Sequence, residues 1–163
     1  MGEEALGEGA PGEAAPPSEP QAVLFACGLN SVRSPMAAAL LRRMRGAPLY
    51  IASAGVRTAE LDPFAVAVMA EIGIDIAAHR PITFEELEDL EGLNFDLIVT
   101  LAPEAHHTAL ALTHRLAAEV EYWPTADPAV VEGNREQRLD AYRAVRDQLA
   151  ERVKARFLQR RVP

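Results

Sequence analysis

The chain has a single cysteine, Cys27, and an arginine, Arg33, follows it six positions later. Gly28, Leu29, Asn30, Ser31 and Val32 lie between them, and Ser34-Pro35 comes directly after. A thiol attacks well only as the thiolate, and with a free pKa of about 8.5 only a few per cent is ionised at neutral pH. Placement at a helix N-terminus beside a guanidinium raises that fraction. The same surroundings suit a tetrahedral oxyanion. Successive backbone N–H groups of a short strand-to-helix loop form an anion nest, and arginine offers a bidentate fork. The spacing therefore fits a nucleophile, Cys27, an oxyanion clamp, Arg33, and a substrate-binding loop, Gly28 to Val32. The Ser34 hydroxyl is placed to donate to the sulfur. The plainer alternatives are an inert buried thiol and an ordinary helix start at Ser34-Pro35.

Such a loop needs a strand to deliver the cysteine and a helix to receive the arginine. Residues 22–26 (AVLFA) are a short apolar run suited to a strand buried on both faces, ending at Cys27. Ser34-Pro35 predicts a helix with serine as N-cap, closed by Gly46. Residues 49–52 predict a second strand, Asp62-Pro63 a capped helix ending at Gly73, and Thr83 with Glu86 a capping box. Residues 95–101 predict a third strand, Pro103 to about residue 117 a helix, and residues 120–123 a fourth strand. A loop over 124–133 leads into a long final helix from about Arg135. This alternation specifies an α/β three-layer sandwich, a four-stranded parallel sheet flanked by helices. Ligands in such sheets bind at the carboxyl ends of the strands, where Cys27 lies. Asp127, after the fourth strand, falls on the same edge.

The 163 residues suit one domain with a sizeable core. The net charge is −8, but Glu3, Glu4, Glu8, Glu13 and Glu19 fall within a stretch that has no Lys or Arg. The remainder is nearly balanced and lacks the basic stripe of a nucleic-acid binder. Residues 1–20, rich in Gly, Ala, Pro and Glu, predict a disordered tail, leaving 21–163 as the catalytic domain. No apolar run approaches the roughly 18 residues expected of a membrane span. The N-terminus lacks a secretory pattern, and Leu6 breaks the Met-Gly myristoylation motif. A lone cysteine fits a reducing compartment, so the expected location is cytoplasmic.

Residues 23–40 (VLFACGLNSVRSPMAAAL) resemble the opening of the low-molecular-weight protein tyrosine phosphatases and their arsenate-reductase relatives. The similarity runs over 21–163, through Ser53-Ala54-Gly55, Gly73-Ile74-Asp75 ahead of His79, and Asp127-Pro128. The resemblance implies a four-stranded parallel sheet and a cysteinyl-phosphate mechanism. It implies Asp127 as general acid and then as the base that activates water. It also implies that Ser53 and His79 hold Asn30 by hydrogen bonds and so fix the loop. From position alone, Asp127 reads first as an Asx-turn or helix-cap residue, and His79 has the alternative of a surface residue. Asp62-Pro63 carries the same dipeptide as Asp127-Pro128 and is read as a helix cap.

The implied activity is hydrolysis of phosphate monoesters, on a phosphorylated protein or a small molecule, with no cofactor and no metal. Val32 stands where many family phosphatases carry a second cysteine. Ala129 and Val130 stand where the tyrosine phosphatases usually carry tyrosine. A pocket without aromatic walls favours a smaller oxyanion than phosphotyrosine. Arsenate reduction is the alternative, with the second thiol supplied from outside because this chain has no other cysteine. A phosphate-binding module without catalysis is a third reading, opposed by the joint presence of Cys27, Arg33, Ser34 and Asp127. Tyr122 and Trp123 read as core. His106, His107 and His114 read as solvated helix positions, with no further ligands at metal spacing.

Overall fold

The computed structural model describes residues 19–46 and 48–158. Most of the tail expected over 1–20, and the last five residues of the chain, lie outside that range. The elements run β1 (Ala22–Cys27), α1 (Arg33–Arg45), β2 (Tyr50–Gly55), α2 (Pro63–Ala70), α3 (Phe84–Glu91), β3 (Leu97–Thr100), α4 (Pro103–Leu112), β4 (Glu119–Tyr122) and α5 (Arg135–Phe157). A 3₁₀ turn at Pro128–Val130 precedes α5. The four strands form one sheet in the order β2-β1-β3-β4, and every pairing is parallel.

Alternation along the inner strands divides the core into two layers. Val23, Phe25 and Cys27 of β1 pack with α1, α2 and α5, whereas Leu24 and Ala26 pack with α3 and α4. Because both faces are covered, β1 reads as an unbroken apolar run and β3 as one broken only at its end by the buried Thr100. The edge strand β4 carries Glu119 and Glu121 instead, a charged border that discourages pairing with another sheet. On the surface between α2 and α5, Glu71 accepts from Arg143 and Arg146 at 2.7 and 2.8 Å.

Several expected boundaries shift for physical reasons. The strand β2 continues to Gly55, because Ser53, Ala54 and Gly55 pair with Phe25, Ala26 and Cys27. The helix α1 starts two residues earlier than expected, at Arg33, and Val32 rather than Ser34 occupies the N-cap. No side chain caps it, and its first bond runs from the Met36 N–H to the Val32 carbonyl at 3.2 Å. Pro35 fits the first turn because its missing N–H has no helical partner to lose. At the other end Gly46, with φ 67°, donates to Arg42 as the expected C-cap. The helix α4 stops at Leu112, where the Thr113 hydroxyl donates to the Leu110 carbonyl at 2.6 Å. The caps at Asp62 and Thr83 form as expected, and Asn134 with Gln137 forms a second capping box, at the start of α5.

Candidate active site

Cys27 ends β1 with 2% of its surface exposed, and the loop to α1 curls beside the segment that leaves β2. That segment binds the outer side of the loop. The N–H groups of Val56, Arg57, Ala59 and Asp62 donate to the carbonyls of Cys27, Gly28, Leu29 and Ser31, at 2.9 to 3.3 Å. In a planar trans peptide the next N–H points opposite to the carbonyl. The amides of Gly28, Leu29, Asn30 and Val32 are thereby turned to the other side, and the Asn30 N–H reaches the Cys27 Sγ at 3.3 Å. This is a nest of donors around the sulfur. Gly55 makes the approach of the two segments possible. A Cβ there would lie 2.5 Å from the Arg57 carbonyl, 2.8 Å from the Asn30 nitrogen and 3.0 Å from the Leu29 carbonyl carbon. Gly28 is confined from the opposite side, since a Cβ would meet the Glu104 carboxylate, which Arg57 holds through two 2.9 Å bonds.

The hydrogen bonds around Asn30 run in one direction only. Asn30 is fully buried in the left-handed conformation, φ 55°, that asparagine tolerates better than most residues. Its Nδ2 donates to Ser34 Oγ at 2.8 Å and to Ser53 Oγ at 2.9 Å. Its Oδ1 accepts from the Ile82 N–H at 2.9 Å. His79 Nε2 lies 3.1 Å from that Oδ1 and 3.3 Å from the Asn30 carbonyl oxygen, so Nε2 must carry the proton. Burial holds His79 below the ordinary imidazole range, against the pull of the Asn30 bond. Since Ser34 Oγ already accepts from Asn30, its own hydrogen is free for Cys27 Sγ, 2.9 Å away. The sequence leads Ser34 to be expected in two roles, cap and sulfur donor. The structure gives it the second position and not the first.

Arg33 is half-buried at the start of α1. Its Nη1 donates to the Thr125 carbonyl at 2.9 Å, and its Nη2 lies 3.9 Å from Asp127 Oδ2. Asp127 Oδ1 accepts from the Ala129 N–H at 3.0 Å, an Asx-turn that opens the 3₁₀ turn. The Asx-turn reading of Asp127 holds, with one oxygen shaping the loop while the other faces Arg33. Asp62 does more than cap. Its Oδ1 accepts from the Phe64 N–H at 2.8 Å, while its Oδ2 accepts from the Tyr142 hydroxyl at 2.5 Å. Burial and that carboxylate hold the Tyr142 phenol above its ordinary range.

Thr125 and Tyr142 escape the sequence reading. Thr125 contributes a main-chain oxygen, which leaves no side-chain signal. Tyr142 shares the buried face of α5 with Leu139, Val145 and Leu149, and a phenol in an apolar stripe needs a partner for its hydroxyl. Trp123 is core, edge-on to Phe25 at 6.0 Å. Tyr122, expected in the core, is instead 37% exposed on the edge strand and stacks on His106 at 4.4 Å. His106 is correspondingly no plain solvated residue, since its Nδ1 lies 2.9 Å from Thr100 Oγ1. Among the described residues no group of three or more His, Cys, Asp or Glu side chains could hold a metal ion, and no helix is long and apolar enough to cross a membrane.

A parallel α/β sheet with a cysteine at the end of its first strand and an arginine closing the loop behind it defines a cysteine-loop α/β fold. The chain belongs to the low molecular weight phosphotyrosine protein phosphatase family, whose model matches residues 22–161. It is 35% identical over 132 residues to an arsenate reductase of Halalkalibacterium halodurans, covering 81% of this chain and 91% of that protein. It is 30% identical over 132 residues to the glutaredoxin arsenate reductase of Synechocystis, covering 80% and 92%. Among solved structures, an arsenate reductase in the phosphate binding state superposes with a TM-score of 0.63 at 27% identity, over 83% of this chain and 95% of that one.

Proposed function

We propose that this protein is an arsenate reductase that uses Cys27 as nucleophile and an external thiol as reductant. The observation that carries the reading is the sulfur of Cys27, which receives the Ser34 hydroxyl and the Asn30 N–H inside a loop whose other amides face the same side. Curated relatives named arsenate reductase support the choice of substrate. Arsenate enters the nest with Arg33 as its clamp, and the Cys27 thiolate attacks arsenic while one oxygen leaves as water. A thiol of an external partner then attacks Cys27 Sγ. The sulfur–arsenic bond breaks, its electron pair departs with arsenic as arsenite, and a mixed disulfide remains on Cys27. A second external thiol attacks the partner's sulfur and restores the Cys27 thiolate. Two thiols are oxidised to one disulfide as arsenic(V) becomes arsenic(III). Such chemistry belongs in a reducing compartment, the cytoplasm.

Hydrolysis of phosphate monoesters is the second reading, favoured by the position of Asp127 beside Arg33. Asp127 then protonates the leaving oxygen and later activates the water that releases phosphate from Cys27. A phosphorylated protein or a small phosphate monoester would be the substrate. Parallel assays separate the two. Arsenite production is followed with arsenate and glutathione, and phenolate release with para-nitrophenyl phosphate. Arsenite should form at a rate that Cys27→Ser abolishes, while that variant still binds oxyanion. Ester hydrolysis without arsenite production would replace the first reading by the second. Activity of either kind undiminished in Cys27→Ser would remove both.

A further inference from the structure

A cavity of about 550 Å³ lies behind the catalytic loop, between α1 and the segment that follows α2. Arg42, Arg43, Asp75 and His79 supply its charged and titratable lining, and Pro35 and Ile74 contribute apolar wall. Both guanidiniums are fixed by main-chain carbonyls. Arg42 Nη2 donates to Ile51 at 3.0 Å, and Arg43 Nη2 donates to Gly73 at 2.7 Å. Each anchor uses only part of a five-donor fork, and neither arginine has a carboxylate partner among the described residues. Asp75 Oδ1 accepts from the Ala77 N–H at 2.8 Å, so that carboxylate serves its own turn. The lining therefore carries two positioned cations against one acid.

His79 joins this cavity to the nucleophile. Its Nε2–H is committed to Asn30, Asn30 donates to Ser34, and Ser34 is left to donate to Cys27 Sγ. Three hydrogen bonds of one polarity thus connect the wall of the cavity to the reacting sulfur. The charges facing His79 are those of Arg42 and Arg43 from α1 and of Asp75 from the neighbouring segment. Burial disfavours the charged ring most, the Asn30 bond opposes that, and the nearby charge of Arg42 disfavours it further.

We propose that this cavity binds an oxyanion of the phosphate class through Arg42 and Arg43, and that the bound ion acts on Cys27 through His79, Asn30 and Ser34. An anion between the guanidiniums cancels the repulsion that Arg42 exerts on an imidazolium. Protonation of His79 at Nδ1 then becomes more favourable, and to that extent its Nε2–H becomes a charge-assisted donor. Asn30, polarised by that bond, donates more strongly to Ser34, and Ser34 to the sulfur. The cavity is wider than one phosphate needs, and its apolar wall leaves room for a small organic group carrying the anion.

The test separates this site from the catalytic loop, which also takes phosphate. Arg33→Met protein, deprived of its clamp, is titrated with inorganic phosphate while the His79 ring signal is followed by NMR. A saturable shift is expected, with affinity at least tenfold weaker when Arg42→Gln is added. Ala78→Glu, at an exposed position on the cavity wall, places a carboxylate before the guanidiniums and should have the same effect even where Arg42→Gln impairs folding. The absence of a saturable shift, or a midpoint unchanged by both variants, would place the ion elsewhere and overturn the site. In otherwise unaltered protein saturated with whichever substrate it turns over, arsenate with glutathione or para-nitrophenyl phosphate, added phosphate should change kcat at least twofold, and Ala78→Glu should remove the response. Inhibition confined to KM would overturn the coupling to Cys27. The binding measurement needs no turnover, so it stands apart from the choice between reductase and phosphatase.

Discussion

Arg33 and Thr125 are joined across the mouth of the site: the guanidinium donates to the Thr125 carbonyl at 2.9 Å, two residues ahead of Asp127. One side chain thereby fixes the loop that carries Asp127 while its second terminal nitrogen lies 3.9 Å from the Asp127 carboxylate. If Arg33 clamps an oxyanion as proposed, binding is coupled to the placement of Asp127, because the same planar group does both.

Arg33→Lys should therefore cost more than a lost charge. An ammonium is a point charge and cannot hold Thr125 while offering a fork to the substrate. A fall in kcat/KM of about tenfold or more, roughly 1.4 kcal/mol, is expected from steady-state kinetics. Near-normal kinetics would mean that Arg33 does not touch the substrate.

Asp127→Asn and Asp62→Asn form a contrasting pair. If esters are hydrolysed, Asp127→Asn should slow them by about 10²–10⁴, most for the poorest leaving groups. Arsenate reduction should fall far less, because its later steps depend on a thiol. Asp62→Asn should leave turnover within about threefold of the original, since its backbone bond to the Ser31 carbonyl persists. Its cost should appear as lost stability of about 1–3 kcal/mol, from weakening the bond to the Tyr142 hydroxyl. Single-turnover rates over a series of aryl phosphates, with denaturant melts of both variants, check the pair. A larger kinetic loss at Asp62 would assign the acid to the wrong loop.

Gly55→Ala tests the contact that shapes the catalytic loop. The added methyl would press on three backbone atoms of Arg57, Asn30 and Leu29, none of which can rotate away. Overpacking of this kind costs about 1–3 kcal/mol, and here the displaced atoms include the Asn30 nitrogen that donates to Cys27 Sγ. Both the melting temperature and kcat/KM should drop, with the kinetic loss about tenfold or more. A variant as active as the parent would show that the loop adjusts freely.

Acid should weaken the attachment of α2 to α5 in a defined window. Hydrogen bonds from Arg143 and then Arg146 hold the Glu71 carboxyl down at about 2, against 4.5 in its absence. A carboxyl depressed in the folded state contributes stability that is full above 4.5 and is lost as the pH falls toward 2. In urea melts at a series of pH values, Glu71→Gln should flatten the decline across that window and leave the shape near neutrality unchanged. An identical pH slope in the two proteins would exclude Glu71 as the source.

Much of the architecture is legible because local and global signals agree. The apolar run ending at Cys27 is a strand buried on both faces, and Asp62-Pro63 and Thr83 with Glu86 start helices as their chemistry dictates. Ser34 is misread as a cap because a serine before proline has that signature in any sequence, whereas its hydroxyl is claimed by Asn30 and Cys27. The strand β2 is read too short because Ser53-Ala54-Gly55 has the composition of a turn, and only its partner Phe25-Ala26-Cys27 makes it a strand. Asp62 hides its second bond because Tyr142 lies 80 positions away in the chain. The carbonyl of Thr125 could not be singled out from a sequence, since every residue has one.

The alternate bonding of the catalytic loop to residues 56–62 has a consequence for transplantation. Four carbonyls of the loop are held by N–H groups of a segment that follows a different strand. Residues 27–34 grafted between a strand and a helix of another α/β protein would carry the thiol and the guanidinium without the mould that orients the amides. A working graft would need two non-contiguous pieces, the second including Gly55, set in parallel register. An insertion between Val56 and Asp62 should conversely disturb the chemistry at Cys27 while touching no residue of the loop itself.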